Sequence, residues 1–242
     1  MRLYSTAEIN QLRHELPYLA QTSDWLRDFL AKPHRDLGRP GPVCPFLPKA
    51  LDLNSIRLTE VQAKGLNLEQ LKDIVRDYRD IFLELEPKHG DLAYFKAIML
   101  VFPDISADEA LVLIDGVQRE LKPFFVEMGL MLGEFHERSE SPGLHNPDFR
   151  PLRSPVPMLA IRFMAESDLP FLQRSTDEPH LRVRYLEAYL TRMASVIRDE
   201  KKLQKAKEAL AIAYSEQQFN PGQMPQQKVS KCPFARLARV FS

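Results

Sequence analysis

Prolines set the first limits on how this chain can fold. Each lacks an amide hydrogen and has a fixed φ, so a dense group of them bars both a helix interior and a central strand. The chain carries 19 prolines against 9 glycines, and the prolines gather between 33 and 50, between 141 and 157, and in the last 26 residues. Regular structure has to fit into what lies between.

The stretches between them have clear periods. Residues 6–31 read as helix, with Leu12, Leu16, Leu19, Trp25, Leu26, Phe29 and Leu30 at roughly helical spacing. Pro17 should divide this arm into two shorter helices and Pro33 should stop it. "IRLTEVQA" (56–63) alternates as a strand does, and 67–85 places Leu68, Leu71, Val75, Tyr78 and Phe82 on one helical face. "AYFKAIMLVFP" (93–103) is a nearly continuous apolar run, the pattern of a buried strand. Ser106 followed by Glu109 marks the start of a helix over 106–129. Residues 130–136 and 157–165 read as two more strands, and 178–216 as one helical stretch with a charged middle.

This order predicts an α/β fold: a small sheet in β-α-β-α-β-β order covered by helices, with an N-terminal helical arm and a C-terminal helix plus tail. A single domain spans 1–216, made of the arm (1–32), a Cys-Pro loop (33–50) and the sheet with its helices (51–216); a flexible tail covers 217–242.

Lys and Arg together number 33, as do Asp and Glu. That balance argues against a nucleic acid or an anionic membrane surface as partner. No apolar run approaches the roughly 20 residues needed to span a bilayer, and the N-terminus lacks the apolar core of a secretory signal. A cytoplasmic protein with reduced thiols is expected, since its two cysteines lie far apart in sequence.

No phosphate-binding glycine loop, nucleophile elbow or His-Glu-x-x-His motif is present. His34 shares a loop with Cys44, and His136 and His145 flank the second proline cluster, but none has zinc-site spacing. The two cysteines are more informative. One lies in "LGRPGPVCPFLPKAL" (37–51), and "KCPF" (231–234) repeats its core.

A free cysteine is most often a small buried hydrophobe. Three features of Cys44 point elsewhere. It lies on a loop, Pro42 and Pro45 hold that loop extended, and Arg39 places a permanent charge nearby that favours the thiolate. A fixed thiolate suits nucleophilic attack, which needs a base such as His34, His136 or His145, or it suits metal ligation. A single cysteine leaves the other metal ligands to be supplied by something else, and a porphyrin supplies four nitrogens. Phe46, Leu47 and Leu51 would wall such a site, and Arg39, Arg150 and Arg153 would pair with propionates. His136, His145 and Asp168 are candidates for distal acid or substrate anchor. The plainer readings are solvated arginines for Arg150 and Arg153, a turn residue for His145, and a turn cap for Asp168.

"PHRDLGRPGPVCPFLP" and "SPGLHNPDFRPLRSPVPMLAIRFMAESDLPFL" together resemble a family of bacterial domains of unknown function over most of 20–195. More remotely, the Cys-Pro-Phe loop, the β–α–β–α order and the histidine- and proline-rich connection are similar to the YqcI/YcgG family. Members of that family are haem proteins, and some hydroxylate the guanidine nitrogen of arginine-like substrates. That resemblance implies a haem ligand role for Cys44.

The expectation is therefore a haem b protein with Cys44 as thiolate metal ligand, acting as an oxygenase or peroxygenase on a small metabolite, with a nitrogen-containing one the narrower form. Its partners would be that substrate and an electron donor. Two alternatives stand beside it: a non-catalytic haem-sensing or interaction module using Cys44 and Cys232, and a cofactor-free thiol enzyme.

Overall fold

Five strands, β1 (Tyr4–Ser5), β2 (Ile56–Glu60), β3 (Ala97–Val101), β4 (Leu130–Phe135) and β5 (Met158–Phe163), form one open sheet in the order β1-β2-β3-β5-β4. The computed structural model describes residues 2–219. β2 and β3 run parallel, with Ile56 opposite Ala97, and every other neighbouring pair is antiparallel. The chain is mixed α/β, as its periodicities predict.

The arm is divided as Pro17 requires, into α1 (Thr6–Gln11) and α2 (Pro17–Trp25), with the proline in the first turn of α2, where its missing amide costs nothing. A π-helical turn over Leu26–Leu30 follows, and α3 (Leu47–Asp52) leads into β2. The two-residue β1 is too short to register as a strand in sequence. The 33–50 segment is less irregular than its prolines suggest. It holds a 3-10 turn at Arg35–Leu37 and a bridge between Pro33 and Pro42, and its last residues already belong to α3.

α4 (Leu68–Glu84) crosses from β2 to β3, and its start is fixed by reciprocal hydrogen bonds between Asn67 and Gln70. α5 (Ala107–Glu127) begins the same way: Ser106 N–H donates to Glu109 Oε2 at 2.9 Å and Glu109 N–H to Ser106 Oγ at 3.3 Å. Residues 93–95 form a 3-10 turn ahead of β3, so that strand starts at Ala97 rather than at the first apolar residue. After β5 come α6 (Leu169–Leu172), α7 (Pro179–Met193) and α8 (Glu200–Phe219). The helical stretch expected over 178–216 is thus two helices, broken between 194 and 199. The break contains no proline or glycine; the Asp199 carboxylate accepts from Lys201 N–H at 2.9 Å and restarts the helix.

Successive side chains of a strand point to opposite faces, and here both faces are covered. Ile98, Leu100, Leu132, Leu159 and Ile161 point to α4 and α5, which bury them with Leu71, Val75, Ile114, Val117 and Leu121. Ile56, Leu58, Met99, Val101 and Met158 point the other way, onto the arm's Ile9, Leu19, Leu26 and Leu30. α7 and α8 pack with α6 and the end of α5 around Val126, Leu172, Val183 and Tyr189. No helix among the described residues is long and apolar enough to cross a membrane.

Candidate functional site

The two proline loops meet. Cys44 N–H donates to Leu30 O at 2.8 Å and Val43 N–H to Lys32 O at 2.9 Å, which ties the first loop to the π-helical turn. The second loop, between β4 and β5, reaches it through Asn146 Nδ2, which donates to Asp36 O at 2.8 Å. The His34 ring stacks on Phe149 with centroids 4.8 Å apart. Gly38, at φ +77°, lies so close to the second loop that a Cβ there would stand 2.6 Å from His145 O. Only glycine satisfies both that backbone angle and that approach.

Between these loops and the sheet lies a cavity of about 390 Å³, within the size range of cofactor and substrate sites. Its walls include Cys44, Pro45, Phe46, Gly133, Ala160, Arg162 and Asp168. The strand register explains the space: Gly133 pairs directly with Ala160, the two smallest side chains of β4 and β5, on the face toward the Cys44 loop. Their neighbours Met131, Phe135 and Arg162 are large, so the small pair leaves a gap between them. The cavity also wraps round β4, the edge strand, since Leu132 and Glu134 on the opposite face line it together with Gln118 and Lys122 of α5. Gln118 Nε2 donates to Leu132 O at 3.3 Å across that edge.

Cys44 lines the cavity and is half-buried. Burial pushes its thiol above the usual value; Arg162 and the neighbouring backbone amides of Phe46 and Leu47 pull the other way, and Asp168 adds to the rise. Arg39 is not the cation that acts on this thiol. Its guanidinium donates to Pro40 O at 2.9 Å and Val43 O at 3.1 Å, bracing its own loop.

The strongest polar feature of the site is the Arg162–Asp168 pair. Arg162 Nη1 donates to Asp168 Oδ2 at 2.7 Å and Nη2 to Oδ1 at 2.6 Å, and Ala165 N–H donates to Oδ2 at 2.7 Å. Asp168 is 1% exposed, while the Arg162 side chain keeps 22% because it faces the cavity. Burial alone would lower the guanidinium pKa, but the Asp168 charge and hydrogen bonds outweigh it and the net shift is upward. The same guanidinium sits 5.7 Å from the centre of the Phe46 ring, two residues past the cysteine. Asp168 is thus the partner of Arg162 and not simply a turn cap.

Glu134 is the second charged group of note. Burial raises its carboxyl to about 7, with its own backbone amide, Arg174 and Lys122 lowering it and Asp115 raising it. His136 shares the Asp115 neighbour with Glu134 but does not line the cavity. β4 ends at Phe135, and His136 turns away, fully buried, with Nε2 2.9 Å from Asp115 Oδ1.

The expected site residues therefore separate. Cys44, Arg39, Phe46, His145 and Asp168 line the cavity; His136, Arg150 and Arg153 do not. Arg150 and Arg153 both pair with Glu140 on the loop surface, through Arg150 Nε at 3.2 Å and Arg153 Nη2 at 2.5 Å. Cys232 and the second Cys-Pro-Phe lie outside the described residues. The sequence reading missed Arg162, although a lone arginine in the apolar strand "PMLAIRFMA", six residues before an aspartate, was a usable signal. Arg174, between α6 and α7, carried no such signal.

No curated protein and no solved structure matches the chain. A family model described as a domain of unknown function, DUF6875, matches residues 19–204, which include both proline loops, the whole cavity wall and the sheet from β2 to β5. The chain belongs to that family.

Proposed function

We propose that the cavity holds haem b with Cys44 as the protein's ligand to it, and that the protein is an oxidative enzyme, of oxygenase or peroxygenase type, acting on a small metabolite. The observation that carries this reading is a cavity-lining sulfur beside the Arg162 guanidinium whose pKa burial nonetheless raises. The Arg162 charge stabilises negative charge on it, while burial opposes a bare thiolate. A metal cation bonded to the sulfur reverses that balance, because a coordinating thiol gives up its proton outright. The same balance disfavours a cofactor-free nucleophile, which needs its thiolate without a metal.

Such a metal has to bring its other ligands. Among the described residues, no three His, Cys, Asp or Glu side chains come together to hold an ion, whereas a porphyrin supplies four nitrogens of its own. The gap over Gly133 and Ala160 beneath the Cys44 loop, with its largely apolar lining, is the room this reading assigns to the porphyrin. Haem bound through a thiolate supplies oxidative chemistry, since the sulfur pushes electron density toward O–O cleavage.

The chain's own groups have separate tasks in this reading. The Arg162–Asp168 pair fixes a charge beside the sulfur and supports Phe46. Glu134 holds or releases a proton near neutral pH behind the β4 edge. Leu30, Leu37, Val43 and Phe135 keep water from the cavity, and His145 lies in the loop through which a substrate passes. A nitrogen-containing substrate is the narrower form of the proposal, and an electron donor or peroxide is its second reactant.

Expression with haem supply tests the reading. The expected result is a coloured protein with one haem per chain, and at least a tenfold loss of haem affinity in Cys44→Ala. A colourless protein whose Cys44 is rapidly alkylated favours the thiol enzyme. Weak, exchangeable haem lost only in Cys232→Ala favours the sensing module. Either result overturns the proposal.

A further inference from the structure

The cavity's charges do not balance. Four cationic side chains line it: Arg39, Lys122, Arg162 and Arg174. Two are neutralised by carboxylates. Arg162 is held by Asp168, and Lys122 Nζ reaches Asp177 Oδ2 at 2.7 Å and Phe171 O at 3.2 Å. The other two have no carboxylate within ion-pair reach among the described residues. Arg39 is bonded only to neutral carbonyls, so its charge is positioned but uncompensated. Arg174 lies over the Phe171 ring, 5.3 Å from its centre, with no hydrogen-bond acceptor among the described residues.

A half-exposed guanidinium without a carboxylate partner on a largely apolar wall is open to a ligand, and the anions that arginine matches best are carboxylates and phosphates. Here one cation comes from the first proline loop and another from the segment between α6 and α7, with apolar side chains between them. From this we infer that the cavity takes an amphipathic diacid, an apolar body carrying two carboxylates, one held by Arg39 and the other by Arg174. Haem b is such a molecule, and to that extent the inference builds on the haem reading; its charge argument does not involve Cys44 or iron.

The two arginines differ in one respect. Glu134 is on the same stretch of wall as Arg174, and the charged groups acting on it are Arg174, Asp115 and Lys122. While Glu134 keeps its proton, Arg174 is available to the ligand. Once Glu134 ionises, near 7, its carboxylate competes for Arg174. Binding of a diacid should therefore weaken as pH rises through that value, through Arg174 and not through Arg39.

Metal-free protoporphyrin tests this, because it carries both carboxylates and no iron. The expected result is saturable binding, with its neutral dimethyl ester at least about tenfold weaker. Arg174→Gln should cost about tenfold and Arg174→Lys much less; as the Arg174 side chain makes no hydrogen bond among the described residues, neither change removes one from the fold. Arg39→Gln should cost a similar factor, with Arg39→Lys showing whether charge or loop bracing is at stake. The weakening toward high pH should vanish in Arg174→Gln and Glu134→Gln and persist in Arg39→Gln. Equal affinity for diacid and diester, or full affinity in Arg174→Gln, overturns the inference. Charge-dependent protoporphyrin binding by a protein in which Cys44→Ala leaves haem affinity unchanged removes the ligand assignment and leaves the diacid site standing. A thiolate-bound haem whose affinity ignores both arginines does the reverse.

Discussion

The two faces of the sheet are built from the same strands and end in opposite states. On one, α4 and α5 run the length of β3 and β5, and the packed aliphatic side chains are sealed from solvent. On the other, the helical arm covers β2 and β3 and touches β4 at Trp25, whose ring meets that of Phe135 with centroids 5.6 Å apart; beyond it the proline loops bridge over Gly133 and Ala160 and leave a cavity. The difference lies in what the covering segments can do. A long helix lays a continuous stripe of side chains against a sheet, whereas a proline-stiffened loop spans a gap without filling it. Stability is concentrated on the first face and chemistry on the second.

Substitutions on each face should break this division or sharpen it. The largest expected effect is at the boundary: Asp168→Asn breaks an ion pair whose aspartate is buried, takes the counter-charge from a largely covered Arg162 and should cost about 3–5 kcal/mol in urea unfolding, well beyond an ordinary hydrogen bond. On the sealed face Leu100→Ala, fully buried under α4 and α5, should cost about 2–5 kcal/mol and leave the haem content of the folded fraction unchanged. Loss of haem in step with stability there would show that the two faces are not separate.

Glu134 gives a pH signature of the cavity where it wraps round the β4 edge. The unfolded chain loses this proton near the usual 4.5 and the folded chain near 7, so between the two the folded state holds more protons. The associated stability is complete below the lower value and is lost as pH rises through the upper one. Glu134→Gln should remove that decline, by on the order of 2 kcal/mol in the difference between the two proteins above neutrality. A parallel pH profile in the two proteins would place the carboxyl in solvent.

Gly133→Val should fill the floor. A Cβ at Gly133 already comes within 3.3 Å of the Phe135 ring, and larger groups project into the cavity. Haem or protoporphyrin binding should fall by about tenfold or more for roughly 1 kcal/mol of stability. The smallest effect belongs to Ser106→Ala, which removes the cap of α5 at about 1 kcal/mol and should leave ligand binding untouched.

Much of the fold was legible in the chain. Pro17, Ser106 with Glu109, and the alternation of 56–63 are local signals, and each marks an element boundary that the structure keeps within a few residues. The break between α7 and α8 was not legible, because Asp199 restarts the helix without proline or glycine to announce it. The site was legible in part. Cys44, Phe46 and Asp168 sit beside prolines that fix their segments, and all three line the cavity. Arg150 and Arg153 had the right type and the right loop, but Glu140, ten and thirteen residues before them, claims both.

The sequence alone determined the order of elements, the stiffness of the two loops and the position of one cysteine between prolines, since proline geometry and hydrophobic period act over a few residues. Only the tertiary structure decided which charges are spent and which are left over. Arg162 meets Asp168, Lys122 meets Asp177 across 55 residues, and Gly133 meets Ala160 through strand register. Charge compensation and cavity shape depend on groups that are close in space and distant along the chain, and no local pattern encodes them.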